Sequence, residues 1–432
     1  MSESNVTVHK KVRKVVIAGS ARIPFCRSNT FYAELSNLDM LSDTLQQLSK
    51  RCNLAGKKID DVVAGAVTTH SKDFNLTREA ILSTDLSPAT PGTTLQMACG
   101  TSLQAALMIA GRIASGDIDC GIAAGTDTAS DAPVVFPRKF ARRMIKLSQA
   151  CSLKDRLKTL SGFSLKELTP KAPVNAEPRT GLSMGQHCEL MAREWGITRH
   201  EQDELALQSH RKASAAYDSG FFDAQVGPYQ GILSDTNIRA DSSMEKLGSL
   251  RPAFDRKHGT LTAGNSTPLT DGAAAVLLCS ESWAKENGLP ILAYLNGGRS
   301  SAVDFVGGEG LLMAPTLAVS ELLQKQGLTL QDFDVYEIHE AFAAQALCTL
   351  KAWEDPDFCR SKLGLEEPLG SIDRERMNIK GGSLAFGHPF AATGARILGG
   401  LAEILEERGK GRGLISICTA GGMGVAAVVE KP

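Results

Sequence analysis

Four short stretches of this 432-residue sequence carry side chains suited to nucleophilic attack or proton transfer, each at the end of an apolar run. MACGTS (97–102) sets Cys99 where an apolar strand stops and a helix starts. The free N–H groups and positive dipole end of that helix favour a thiolate over a thiol, and Gly100 permits a sharp turn and close approach of a ligand. The plainer reading is a buried structural cysteine, with Thr101 or Ser102 capping the helix. A thiol nucleophile needs a base. GGSLAFGHPFAATGARI (381–397) offers His388, held between Gly387 and Pro389 at a helix entrance, with an ordinary pKa suited to proton transfer near neutrality. A lone histidine is more often a satisfied core or surface residue. ICTAGGMG (417–424) ends a strand at Cys418. A strand rather than a helix follows, so this is no dinucleotide motif, and its glycines alone read as a hairpin turn. In IHEAFAAQ (338–345), His339 stands at a second strand-to-helix junction, where Glu340 suits the helix dipole.

Short apolar runs alternating with amphipathic segments predict an α/β protein. Strands are expected at VVIAG (15–19), VVAGAV (62–67), TTLQMA (93–98), CGIAAGT (120–126), AAAVLLC (273–279), DVYEIH (334–339), GLISIC (413–418) and VAAVVE (425–430). Helices are expected near 35–50, over 102–116, where Leu103, Ala106, Leu107, Ala110 and Ile113 recur at helical spacing, and after His339. The pattern divides into an N-terminal half, 1–130, completed by about 268–290, an insertion over 131–267, and a C-terminal half, 291–432. Within the insertion, 138–171 holds ten basic and two acidic residues, flanked by prolines at 133, 137, 170 and 173. It reads either as a solvated excursion or as a patch for coenzyme phosphates, a partner subunit or an anionic lipid surface.

A net charge of −1 and 5% aromatic residues give no reason to expect nucleic acid as a partner. Ten cysteines fall in no C-x-x-C pair or zinc-spaced cluster, so no metal site is expected and free thiols in a reducing compartment are. No apolar run reaches the length of a membrane span. The first ten residues do not read as a presequence, nor VVEKP as a peroxisomal signal, which makes the cytoplasm the expected location.

MACGTSLQA, HEAFAAQ, GHPFAATGAR and CTAGGMG, in this order and spacing, resemble the thiolases. So do ARIPF (21–25), the stretch around 180–186, and FDRKHGTLTAGNSTPLTDGAAAV (254–276). The resemblance implies a thiolase fold: two similar βαβαβ-type halves in a five-layered α-β-α-β-α arrangement, with an inserted loop domain. By position, Cys99 matches the family's acyl-accepting nucleophile, His388 its activating base, Cys418 the acid/base acting on the substrate α-carbon, and His339 an oxyanion-hole residue. The backbone N–H groups of Cys99 and Ala420 match a second oxyanion hole, and Met184 and Thr267 match pantetheine contacts. Coenzyme A and acyl-CoA are then substrates, with no metal and no permanently bound cofactor.

Many thiolases carry asparagine where this chain has His339. HEAF and the basic excursion resemble the β subunits of fatty-acid oxidation complexes, which implies 3-ketoacyl-CoA thiolysis (acetyl-CoA C-acyltransferase activity) in β-oxidation. The resemblance also implies a homodimer or dimer of dimers, a possible hydratase/dehydrogenase partner, and peripheral membrane contact through 138–171. Acetyl-CoA C-acetyltransferase activity and a catalytically inactive scaffold are the other readings; a carrier-protein ketoacyl synthase lacks the second cysteine that Cys418 provides. Ala391 and Ala420 stand where glycine is common, and Asp127 departs from the usual sequence.

Overall fold

Alternation along the first strand, β1 (Val15–Arg22), divides the core: Val15 and Ile17 enter one cluster, Val16 and Ala18 another, as a period of two requires. The computed structural model describes residues 12–171 and 176–432. The first ten residues, read above for a targeting signal, and Pro173 lie outside the described residues.

The other main strands are β2 (Asp61–Ala64), β3 (Gly92–Thr94), β4 (Cys120–Asp127), β5 (Thr270–Ser280), β6 (Ala293–Ala302), β7 (Val335–Ile338), β8 (Gly411–Thr419) and β9 (Met423–Lys431). They lie in the order β3-β2-β4-β5-β1-β6-β9-β8-β7. The N-terminal half thus runs third, second, fourth, fifth, first. The C-terminal half repeats this from its far edge, with a single parallel bridge, Tyr336 to Met377, in the place of a third strand. Val16–Tyr294 and Ile17–Ala293 pairing joins β1 to β6, so the halves share one continuous sheet.

In the first half, α1 (Asn37–Arg51) and α2 (Leu76–Leu82) bury Leu41, Leu45, Leu48, Leu76 and Ile81 against one face of the strands. α3 (Thr101–Ser115) covers the other face and ends on left-handed Gly116. In the second half, α8 (Ala314–Gln326) and α9 (Ala343–Glu354) form the outer layer, with Val319, Leu323, Leu350 and Trp353 packed on Leu414, Ala426 and Val428. α10 (Thr393–Arg408) joins α3 in the middle, where Leu103, Ile109, Ile397 and Leu401 share a cluster with Ile415 and Val425. The layers are therefore α-β-α-β-α.

Between the halves' strands lie α4 (Arg138–Gln149), α5 (Leu153–Leu160), α6 (Met184–Glu194) and α7 (Arg199–Asp218). α6 and α7 open on capping boxes, Ser183 with Gln186 and Thr198 with Glu201. A buried bidentate pair, Arg22 with Asp235 at 2.6 and 2.7 Å, fastens this segment to β1, and Tyr217 donates to the same carboxylate at 2.7 Å. α4 and α5 bury no residue, and Ile145, Leu153 and Leu157 are exposed among their cations. Among the described residues no helix is long and apolar enough to cross a membrane.

Three expected elements are shorter in the structure. β2 stops at Ala64 rather than Val67: a Cβ on Gly65 would strike the Leu95 carbonyl, and Asp127 captures the Val67 and Thr68 N–H groups. The strand expected over 93–98 ends at Thr94, because Thr101 Oγ1 takes the Met97 N–H (2.8 Å) and Ala98 turns left-handed (φ 45°). The helix after His339 starts only at Ala343.

Candidate active site

Cys99 follows left-handed Ala98 and precedes Gly100, on which a Cβ would press within 2.9 Å of the Thr419 methyl. The thiol thereby sits at the entrance of α3, under the end of β8. Ser102, one turn into α3, spans to the other half: it donates to the Ala391 carbonyl (2.5 Å) and accepts the Ala395 N–H (2.8 Å). A Cβ on Gly394 would press the Leu103 backbone. The two central helix entrances are thus held in fixed register, and His388 Nε2 lies 3.0 Å from Cys99 Sγ.

His388 Nδ1 meets Thr393 Oγ1 at 2.6 Å. For Nε2 to accept the thiol proton, Nδ1 carries the ring hydrogen and donates to that hydroxyl. Burial pushes the Cys99 thiol up to about 12; the Ala420 N–H and Cys99's own N–H pull the other way, while Asp127 and Glu177 add to the rise. Burial, with help from Arg396, drops His388 to about 3. Desolvation thus favours the neutral form of both groups, and at the sulfur it works against the thiolate expected from the helix dipole.

His339 follows β7, and its ring lies 4.3 Å from that of His388, centroid to centroid. Arg396 donates to Ser383 Oγ at 3.0 Å, and Ser383 Oγ lies 3.0 Å from His339 Nδ1. In the tautomer with the imidazole hydrogen on Nε2, that oxygen accepts from Arg396 and gives its own proton to Nδ1. Nε2 is buried and has no partner among the described residues, so in that tautomer its N–H is free for a ligand. Burial and the neighbouring His388 hold His339 well below its ordinary pKa. Ligand atoms of Cys99, His339 and His388 lie within 4.8 Å of one another, the one Cys/His/acid trio among the described residues close enough to grip a metal ion.

Cys418 is buried at the end of β8, and its thiol is held well above the ordinary range by burial and then by Cys99. Ala420 lies in the hairpin that follows. Glu340 does not serve the helix dipole as expected. It is buried and accepts from Asn378 (2.5 Å), Ser209 (2.8 Å) and the Leu384 N–H (3.3 Å). It thereby anchors the loop that carries Ser383.

Thr267 donates through N and Oγ1 to the Ala341 carbonyl and lines a cavity of about 600 Å³. Arg27, Arg239, Lys246, Phe254 and Leu384 also line it. Met184 is not part of that wall; it packs on the cluster containing Cys418 and Phe342. Thr393, Ser383 and Arg396 lie within 381–397 but only the fold shows what they hold, the rings of His388 and His339 and the Ser383 hydroxyl, while Glu177 accepts the Gly421 N–H from outside any motif. Asp127, conspicuous in sequence only as a departure, binds the Val67, Thr68 and Ala391 N–H groups and so ties three loops beside the sulfur.

A family model described as "Thiolase, N-terminal domain" matches residues 15–282, and "Thiolase, C-terminal domain" matches 289–431. Proteins named 3-ketoacyl-CoA thiolase from Yersinia pestis (strain Pestoides F) and Yersinia pseudotuberculosis (serotype O:1b, strain IP 31758) are each 41% identical over 436 residues, covering 100% of both chains. Among solved structures, the Bacillus anthracis acetyl-CoA acetyltransferase superposes with a TM-score of 0.81 at 30% identity, over 98% of this chain and 100% of that one. Human mitochondrial 3-ketoacyl-CoA thiolase gives 0.81 at 26% identity with the same coverage.

Proposed function

The chain belongs to the thiolase family of acyltransferases, and from that premise we propose that it is a 3-ketoacyl-CoA thiolase (acetyl-CoA C-acyltransferase) of fatty-acid β-oxidation. One observation carries the reading: a buried Cys99–His388 pair at 3.0 Å, overlooked by the unpartnered His339 Nε2.

His388 Nε2 takes the Cys99 proton as the sulfur attacks the 3-keto carbon. The tetrahedral alkoxide collapses by breaking the Cα–Cβ bond, leaving an acyl thioester on Cys99 and the enolate of acetyl-CoA. His339 Nε2–H and the His388 imidazolium donate to the enolate oxygen, where preorganised donors act most strongly. Cys418, kept protonated by its burial, gives its proton to the enolate carbon, and acetyl-CoA departs. The Cys418 thiolate then takes the proton of an incoming CoA thiol, which attacks the thioester. Its carbonyl oxygen is held by the N–H groups of Cys99 and Ala420, and His388 returns a proton to the leaving sulfur.

The cavity lined by Thr267, with Arg27, Arg239 and Lys246 on its wall, suits the coenzyme's pantetheine and phosphates. Met184 lies toward the reacting end. No step requires a metal or a permanent cofactor. The units proposed are 1–130 with about 268–290, the insertion 131–267, and 291–432. The exposed basic–apolar face of α4 and α5 suits peripheral contact with an anionic membrane, and a hydratase/dehydrogenase chain is the competing occupant. Assembly as a homodimer or dimer of dimers, in the cytoplasm, completes the proposal.

A series of 3-ketoacyl-CoA thioesters of increasing chain length, followed by loss of enolate absorbance, tests the reading. Thiolysis of the longer chains is expected. Turnover confined to acetoacetyl-CoA would make the protein an acetyl-CoA C-acetyltransferase instead, and none with any chain length would leave an inactive scaffold.

A further inference from the structure

The hairpin between β8 and β9 is held from outside by a residue of the insertion. Glu177 Oε1 accepts the Gly421 N–H at 2.9 Å, across 244 positions of sequence. The glutamate is itself locked in place. It is only 8% exposed, its N–H donates to the Leu182 carbonyl (2.9 Å), and its own carbonyl accepts from Gly181 (2.8 Å).

The geometry of the turn gives this bond its importance. Gly421 and Gly422 are both left-handed, at φ 78° and 70°, a conformation glycine adopts cheaply and also leaves cheaply. On the far side, Val303 N–H donates to the Gly422 carbonyl at 2.8 Å. The Gly421 N–H goes to Glu177, and the preceding N–H, that of Ala420, comes near enough to the Cys99 sulfur to favour its thiolate. With Gly421 bonded to Glu177 and Gly422 to Val303, the turn is held at two successive residues, which limits the rotation left to the Ala420 peptide.

We propose that Glu177 is a positioning residue for acyl transfer: its carboxylate holds the Ala420–Gly421 turn so that the Ala420 N–H stays aimed at Cys99 and at the carbonyl oxygen of the thioester formed there. The inference rests on the thioester mechanism above and adds to it a buried charge that acts on the nucleophile. The titratable groups facing Cys99 are His388, His339, Cys418, Asp127 and Glu177. Among them Glu177 raises the energy of the thiolate while orienting a donor toward it.

Glu177→Gln and Glu177→Ala separate the two effects in the full-length enzyme. Turnover is normalised to Cys99 thiols that form acyl-enzyme, and the pH dependence of Cys99 alkylation by iodoacetamide is read beside it. Glu177→Ala, which loses the acceptor, is expected to lower kcat by about 10–100-fold, toward the loss seen when an oxyanion donor is removed, with KM for CoA little changed. Glu177→Gln, which keeps an acceptor oxygen, is expected to recover most of that rate. Glu177→Gln should move the alkylation midpoint to lower pH, because a negative charge is gone while the donor stays in place; Glu177→Ala, which also loses the Ala420 donor, should titrate above the Gln variant.

A normalised kcat of Glu177→Ala within about two-fold of the parent enzyme would overturn the proposal. So would a Gln variant as slow as the Ala variant with an unmoved alkylation midpoint, which is what a merely structural residue would give. If Glu177→Ala does not fold, Glu177→Asp, one methylene short of the turn, replaces it with the same expected loss. Absence of acyl-Cys99 in the parent enzyme is a different failure, and would sink the thiolase reading itself.

Discussion

Cys99 Sγ and His388 Nε2 stand 3.0 Å apart although 289 positions separate them, one at the entrance of α3 and the other just before α10. Burial holds the thiol up at about 12 and the imidazole down at about 3, so it opposes a standing charge on either group while the 3.0 Å contact gives the thiol proton a place to go.

Replacing Cys99 by serine should abolish thiolysis, by on the order of 10⁴-fold or more, since a hydroxyl is far harder to ionise than a thiol. His388→Ala should do comparable damage with substrate binding retained. Mass spectrometry of the protein after mixing with 3-ketoacyl-CoA provides the check: an acyl adduct on the Cys99→Ser chain would refute the assignment.

His339 is expected to act as a donor through Nε2–H. His339→Ala should cost about 10²–10³ in kcat. His339→Asn restores an N–H in the same region and should recover part of the loss. Ser383→Ala should produce a smaller fall, about ten-fold, because it frees the His339 ring without deleting it. Equal rates for the Ala and Asn variants at residue 339 would remove His339 from the oxyanion site.

Glu337, buried behind Arg396, has its carboxyl raised to about 8 by desolvation. In the interval between its ordinary pKa of 4.5 and about 8 the folded chain binds this proton more tightly than the unfolded one. Its contribution to stability is therefore complete below about 4.5 and is lost as pH rises through 8. Glu337→Gln removes that loss, so its Tm relative to the parent protein should climb steadily from pH 5 to pH 8.5. A constant difference across that window, by calorimetry at matched ionic strength, would contradict the burial of an ionisable carboxyl there.

The basic face of the insertion should bind anionic vesicles. Arg143 is unsuited to the test, because it is folded back onto Glu167 and the Thr159 carbonyl, and Lys139 also pairs with Glu167. Neutralising Arg138, Arg142, Lys146 and Lys158 leaves those contacts intact. At about 1 kcal/mol for each cation near an anionic surface, co-sedimentation with phosphatidylserine vesicles should weaken on the order of 100-fold or more, with thiolysis in solution unchanged. Unaltered vesicle binding would assign this face to a protein partner.

What the sequence announces is chemistry concentrated in a few consecutive residues. Cys99, His388, His339 and Cys418 each interrupt an apolar run beside glycine, histidine or a helix start, and the strands and helices follow from hydrophobic period. The residues that hold them are not legible in the same way. Ser383 and Thr393 are ordinary polar positions until the fold sets them against ring nitrogens. Glu340 has the profile of a helix N-terminal acid, yet is spent on Asn378 and Ser209. The ionisation of Cys99 is the clearest case: local sequence gives the helix dipole, but enclosure of the sulfur arises only when both halves close over it. Likewise, no local pattern could show that Gly65–Val67 leaves the strand, since the Leu95 carbonyl crosses at Gly65 and Asp127, sixty positions on, takes the Val67 N–H.

That the proposed nucleophile, Cys99, and its proposed base, His388, lie so far apart in sequence has a consequence for synthesis. With 289 residues between them and ribosomes adding about 5–20 residues per second, Cys99 emerges roughly 15–60 s before His388 exists. Throughout that interval the growing chain holds an acyl acceptor with no proton acceptor opposite it. Translation thus finishes before the chemistry can begin, and a truncated product inherits the thiol without the means to load it.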